Sequence, residues 1–208
     1  GPSATRRDIV VSDLVIDGNR EQQADECMGG PCEGERVLRN NGMTLRAVAD
    51  TAVRRVLIVR GRSGGLVTEL GCIRLTIEDL TSASNQFDGL AVYKTTDSTF
   101  SRLRLVDNLW AGLSADHGFD QNVLNGLVVT GNKDVGIFMR NSRRNVFTGF
   151  QIHNNGSHGI FLAQIENDAT TPAAGNTFSS GAISGSQGWG LLVKTEDMAK
   201  FGQLYLQK

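Results

Sequence analysis

The sequence predicts an all-β, single-stranded right-handed parallel β-helix of about seven to eight coils, with 23–24 residues per coil. Three observations carry that expectation. Six glycines, Gly42, Gly65, Gly89, Gly112, Gly136 and Gly159, recur at intervals of 23, 24, 23, 24 and 23 residues. Four positions before the last four of them stand Asn85, Asn108, Asn132 and Asn155. After the glycines come alternating apolar stretches such as Leu90-Ala91-Val92 and Ile137-Phe138-Met139. A fixed period in the low twenties marks a solenoid whose unit cannot bury its apolar face alone.

Taken in order, the chain opens on Gly1-Pro2-Ser3, which reads as the remnant of a cleaved tag. Residues 4–208 then form one expected β-helix domain with two insertions, near 19–41 and 166–174. The first holds Cys27-Met28-Gly29-Gly30-Pro31-Cys32. That spacing is not Cys-x-x-Cys and no histidine is near, so a Cys27–Cys32 disulfide is expected rather than a zinc site. Such a bridge implies an oxidising compartment. Cys72 reads as a small core residue.

Each regular unit carries short period-2 runs divided by Asn, Gly, Asp and Ser, the pattern of strands and turns. One unit offers Leu90 and Val92, then Phe100, Leu103 and Leu105; the next offers Leu113, Ala115, Leu124, Leu127 and Val129. Stacked at about 4.8 Å per coil, these columns form a continuous core. The asparagines are expected to form an amide ladder, each side chain bonding the next coil. Each glycine is expected to supply a positive-φ bend before its strand. The second insertion delays the next glycine, Gly190, to 31 residues after Gly159. The final run, Gly202 to Gln207, reads as a further strand without a cap, so another domain or subunit is expected there.

Net charge is −1, which gives no reason to expect nucleic acid as a partner. There is no apolar run of 18 residues, hence no expected membrane span. No Asp-rich calcium loop stands out, and neither a metal nor a cofactor is expected.

Side chains alternate across a strand. With the residues one and three after each glycine inside, those two and four after it face out. The fourth-position column reads Arg46, Glu69, Tyr93, Asp116, Arg140, Ala163 and, after the insertion, Lys194. Beside it stand Phe138 and Phe161, and the next edge adds Lys94 and His117. This row of charge and flat apolar surface suits an extended sugar chain. Glu69, Tyr93, Asp116 and His117 are the candidate catalytic residues; Arg46, Lys94, Phe138, Arg140, Phe161 and Lys194 are the candidate substrate-binding residues. Glu69 and Asp116 are two coils, or about 9.5 Å, apart, and a separation of roughly 6.5–9.5 Å suits inverting glycoside hydrolysis. Alternatively, Tyr93, Lys94 or His117 abstracts the proton α to a uronate carboxylate that Arg46 or Arg140 neutralises. His153 and His158 read as solvated turn residues of another face.

The segment from Leu14 to about Leu192 resembles the mannuronan C5-epimerase and polysaccharide-lyase group of β-helix proteins. The resemblance rests on Val15-Ile16-Asp17-Gly18-Asn19, on Leu75-Thr76-Ile77-Glu78-Asp79 and on the Asn-x-x-x-Gly-Leu/Ile coils. It implies a secreted or cell-surface polysaccharide-processing protein, a lyase or hydrolase with an acidic polysaccharide favoured. A non-catalytic carbohydrate-binding, adhesin or tail-fibre module and a divergent epimerase are the alternatives. The epimerases carry Gly-Phe-Asp-Pro-His where this chain has Gly65-Leu66-Val67-Thr68-Glu69, so that motif is not present.

Overall fold

The computed structural model describes residues 6–23, 40–163 and 173–193. Cys27, Cys32, Lys194 and most of the second insertion lie outside the described residues. Among the described residues the structure is a parallel β-solenoid with a single 3-10 turn, Arg20–Gln22.

The glycine-started strands stack in chain order into a seven-stranded front sheet: Met43–Arg46, Leu66–Glu69, Leu90–Tyr93, Leu113–Asp116, Ile137–Arg140, Ile160–Ala163 and Leu191–Val193. Among the described residues the front sheet holds seven strands; the fold class is the one expected, and the number of complete turns is slightly below the seven to eight expected. Their register aligns Leu66, Leu90, Leu113, Ile137, Ile160 and Leu191 in one column. An eleven-stranded back sheet begins with the long strands Val10–Asp17, Ala52–Val59 and Thr76–Ala83, and later coils supply two short strands each, such as Arg104–Val106 after Thr99–Ser101. The break falls at a corner where Arg102, Gly126, Gly149 and Ser180 all take positive φ. Short two-residue strands form a four-stranded third sheet.

The core lies between the sheets. Leu66, Leu90, Leu113 and Ile137 face Ile77, Phe100, Leu124 and Phe147, all without exposed surface. Each such side chain contributes roughly 1.5–3 kcal/mol on burial. Phe147 stacks on Phe178 of the next coil, ring centroids 4.5 Å apart. Cys72 is buried, with its thiol 3.5 Å from the carbonyls of Leu45 and Glu69, as its reading as a core residue requires.

The asparagine ladder is present. Asn85, Asn108 and Asn132 each donate through Nδ2 to Oδ1 of the next asparagine, ending at Asn155, at 2.9 Å. Those side-chain oxygens also accept the backbone N–H of the residue below, so one amide satisfies two buried donors. A second ladder joins Asn122, Asn145 and Asn176 at the corner before the back sheet.

The column glycines do not take positive φ, contrary to expectation; that conformation falls on other residues, including Lys94, His117 and Asn141. Steric closeness explains the glycines instead. A Cβ on Gly112 would stand 2.3 Å from Val129 Cγ1 and 2.8 Å from the carbonyl oxygen of Gly136. Only a hydrogen fits between the coils there.

Candidate functional site on the outer face of the front sheet

With the leucine column inside, the opposite side chains of the front strands stand on the outer face. Arg46 is in register with Glu69, Tyr93 with Asp116, Asp116 with Arg140, and Arg140 with Ala163. The row expected from the glycine spacing therefore lies along one line. In the adjoining column the short side chains of Val67, Ala91 and Ser114 are buried, while the larger Phe138 and Phe161 remain partly exposed.

The row is internally paired. Arg46 Nε lies 2.8 Å from Glu69 Oε1. Arg140 Nε lies 3.1 and 3.0 Å from the two oxygens of Asp116, and its second nitrogen bonds the same carboxylate. Asp116 is only 4% exposed, which corrects the expectation of a free, solvent-facing carboxylate. A carboxylate can be buried because a guanidinium meets it and because its Oδ1 also accepts the His117 backbone N–H at 2.8 Å. The exposed His117 ring stands with Nε2 3.5 Å from Asp116 Oδ2. Hydrogen bonding to Asp116 raises the Arg140 pKa. Glu69 and Asp116 are thus each committed to an arginine, rather than poised as an unencumbered acid–base couple.

Tyr93 sits among these charges. Burial pushes its phenol up to about 12, with the charges of Asp88, Asp116 and Glu69 adding to the effect and Arg140 opposing it. At neutral pH the hydroxyl keeps its proton, so Tyr93 suits a donor role and not that of a base. Lys94 is exposed at the strand end and adopts φ 47°.

Asp88, immediately before Gly89, is a residue that the spacing argument missed. Burial raises its carboxyl to about 7, with the charge of Asp134 adding to the effect, although its Oδ1 accepts the Ala111 N–H at 3.0 Å. Asp88 precedes the strand that Tyr93 ends, and Asp116 is in register with Tyr93, so the two carboxyls stand at opposite ends of the front strands, about 16 Å of extended chain apart. The signal of Asp88 in the sequence was a lone acid in a position that later coils fill with Ala111 and Val135.

Aromatic groups continue the face. The Phe138 and Phe161 rings meet edge to face at 5.6 Å, and the Arg140 guanidinium lies 5.6 Å from the Phe138 centroid. His158 contacts Phe161 at 5.6 Å, so it borders this face and is not a solvated residue of another one. The backbone N–H of Trp189 donates to His158 Nδ1 at 2.9 Å, which fixes the imidazole ring. Trp110 lies against Phe87, with centroids 5.0 Å apart, and remains 53% exposed; Trp189 is 67% exposed. Neither indole was selected from the sequence, because neither position repeats its residue type.

The other acid–arginine pairs are structural. The Asp17 carboxylate accepts the Asn19 N–H at 2.9 Å and bonds Arg60, and Arg102 bridges Asp79 and Glu78. Among the described residues no group of three or more ligating side chains forms a metal site, and no helix is long and apolar enough to cross a membrane.

Three solved structures share the architecture. A double mutant of the periplasmic alginate epimerase AlgG superposes with a TM-score of 0.57 at 16% identity, over 90% of this chain and 45% of the other. The A-module of the Azotobacter vinelandii mannuronan C-5 epimerase AlgE4 gives 0.52 at 14% identity, over 90% and 72%. The full-length tailspike protein 2 from an Escherichia coli O157:H7 bacteriophage gives 0.51 at 16% identity, over 90% and 30%. The chain thus spans less than half the length of the alginate epimerase and of the tailspike. No curated protein matches the sequence. The family described as a right handed beta helix region matches residues 37–196. The chain belongs to the right-handed β-helix family.

Proposed function

We propose that this protein binds a polysaccharide along the outer face of the front sheet and cleaves it there, in an extracellular or periplasmic setting. One observation carries the reading. On the outer face Tyr93, whose phenol keeps its proton, stands in register with the arginine-held carboxylate of Asp116, next to the paired rings of Phe138 and Phe161. The three structural neighbours, whose names refer to alginate or mannuronan epimerisation or to a phage tailspike, lend fold-level support. In this scheme Asp88 or Tyr93 passes its proton to the leaving glycosidic oxygen while water adds to the anomeric carbon and returns a proton to the group that gave one, Arg140 donates to the sugar hydroxyls, and Phe138 and Phe161 carry the ring faces. Epimerase chemistry is disfavoured because Val67 and Glu69 replace the acid and histidine of that group's motif.

Incubation with a panel of neutral and acidic polysaccharides tests the proposal. New reducing ends alone indicate hydrolysis, and new reducing ends with an unsaturated uronate indicate elimination. Binding without turnover favours a non-catalytic carbohydrate module. The absence of both binding and turnover contradicts the proposal.

A further inference from the structure

Trp110 and its surroundings narrow the substrate class. This side chain projects from the turn that enters Leu113–Asp116, two residues before Gly112. It is 53% exposed although it rests on Phe87 at 5.0 Å. A large indole held on a second ring and still open to solvent presents a flat, rigid apolar surface with a polar N–H at its edge. The neighbouring turn positions place acids beside it. Asp88 directly follows Phe87, and the Asp134 N–H donates to the Trp110 carbonyl at 3.3 Å. Asp134 holds the position of Trp110 one coil further on, and its charge adds to the rise of the Asp88 carboxyl.

The two arginines of the row that would favour an acidic sugar are already engaged. Arg46 is paired with Glu69, and Arg140 with Asp116. A uronate carboxylate approaching Trp110 would meet Asp134 and, above its pKa, Asp88. It would also have to break an existing ion pair to gain a guanidinium. An uncharged pyranose meets none of these costs. Its C–H face packs on the indole, and its hydroxyls donate to the carboxyl oxygens.

We propose that Trp110, backed by Phe87 and flanked by Asp88 and Asp134, is a stacking subsite for an uncharged pyranose, and that the polysaccharide bound on this face is neutral. This rests on the function proposed above and reverses the preference for an acidic chain expected from the sequence. Trp189 stands one residue before Gly190, in the corresponding turn three coils further on, at a distance of about 14 Å along the axis.

The chain contains two tryptophans, so fluorescence isolates the site. In Trp189→Phe protein, titration with neutral hexasaccharides of glucose, mannose and galactose is followed through the emission of Trp110, with hexamannuronate and hexagalacturonate as acidic probes. The expected result is a saturable emission change with at least one neutral probe and none with the acidic ones. By calorimetry on otherwise wild-type protein, Trp110→Ala should weaken that binding at least about tenfold, and Trp110→Tyr should restore most of it. Unchanged circular dichroism and melting temperature separate loss of the subsite from loss of the fold. Binding of the acidic probes alone overturns the neutral assignment while leaving a polysaccharide function standing. Neutral binding indifferent to Trp110→Ala overturns the subsite. Failure of every probe to bind overturns this inference and contradicts the proposed function with it.

Discussion

Asp116 and Arg140 face each other on adjacent front strands, and the guanidinium meets both oxygens of a carboxylate that is almost wholly buried. Removing the arginine leaves that carboxylate with the His117 N–H as its main remaining donor. Arg140→Gln should therefore destabilise the fold by about 1–3 kcal/mol. Arg46→Gln, which breaks the more exposed pair with Glu69, should cost less than about 1 kcal/mol. Urea unfolding of the two variants checks this. Equal, small losses would mean that Asp116 is solvated in solution.

The asparagine ladders make a sharper demand on stability than on binding. Asn132 donates to Asn155 and accepts from both the side chain and the backbone of Asn108. Asn132→Ala should cost about 1–3 kcal/mol by leaving buried groups unpaired. Asn145→Ala in the second ladder should behave alike, because its amide bonds Asn176 and the Phe119 carbonyl. Glycan affinity should not change in either. An unaltered melting temperature would show that water replaces the amides without loss.

Gly112→Ala separates steric closeness from backbone conformation as the reason for the glycine column. The added methyl would collide with Val129 and the Gly136 carbonyl, so a loss of about 1–3 kcal/mol or more is expected. Scanning calorimetry reads it directly, and a near-neutral variant would mean that the coils have room for a methyl group between them.

Asp88 predicts a pH dependence with a definite sign. Its folded pKa, about 7, lies above the ordinary value of 3.8, so the folded state binds this proton more tightly than the unfolded chain. The associated stability is fully present below about pH 4 and is lost as pH rises to about 7. Asp88→Asn keeps an acceptor for the Ala111 N–H and removes the titration. Relative to wild type, the variant should therefore gain at least about 1 kcal/mol between pH 4 and 8, because a tenfold difference in proton affinity between the folded and unfolded chain is worth about 1.4 kcal/mol. Chemical denaturation at the two pH values measures the difference. A constant gap would mean that Asp88 ionises normally.

The fold was legible because a solenoid writes the same constraint once per coil. Gly89, Gly112 and Gly136 keep the same close approach, and Asn108 and Asn132 the same amide bond. The alternation after each glycine likewise placed Tyr93, Asp116 and Arg140 on one line. What did not repeat was hard to see. Asn122, Asn145 and Asn176 form a second ladder, but the insertion stretches its last interval to 31 residues. Asp88 occurs once, at a position that later coils fill with Ala111 and Val135, and the aromatic position of Trp110 recurs only in Phe87 one coil earlier. The burial of Asp116 depends on a partner 24 residues away in sequence, which strand alternation does not weigh. The positive-φ corners escaped because Lys94, His117 and Asn141 carry them instead of glycine.

The most direct test of a glycan-binding front face is a crystal structure of the protein with a bound oligosaccharide drawn from the chain it binds best. The sugar should run along the outer face of Leu90–Tyr93, Leu113–Asp116 and Ile137–Arg140, within hydrogen-bond reach of Tyr93 and Asp88 and in contact with Phe138. A sugar chain seated across the eleven-stranded back sheet, or a front face left empty while sugar is bound elsewhere, would contradict the account.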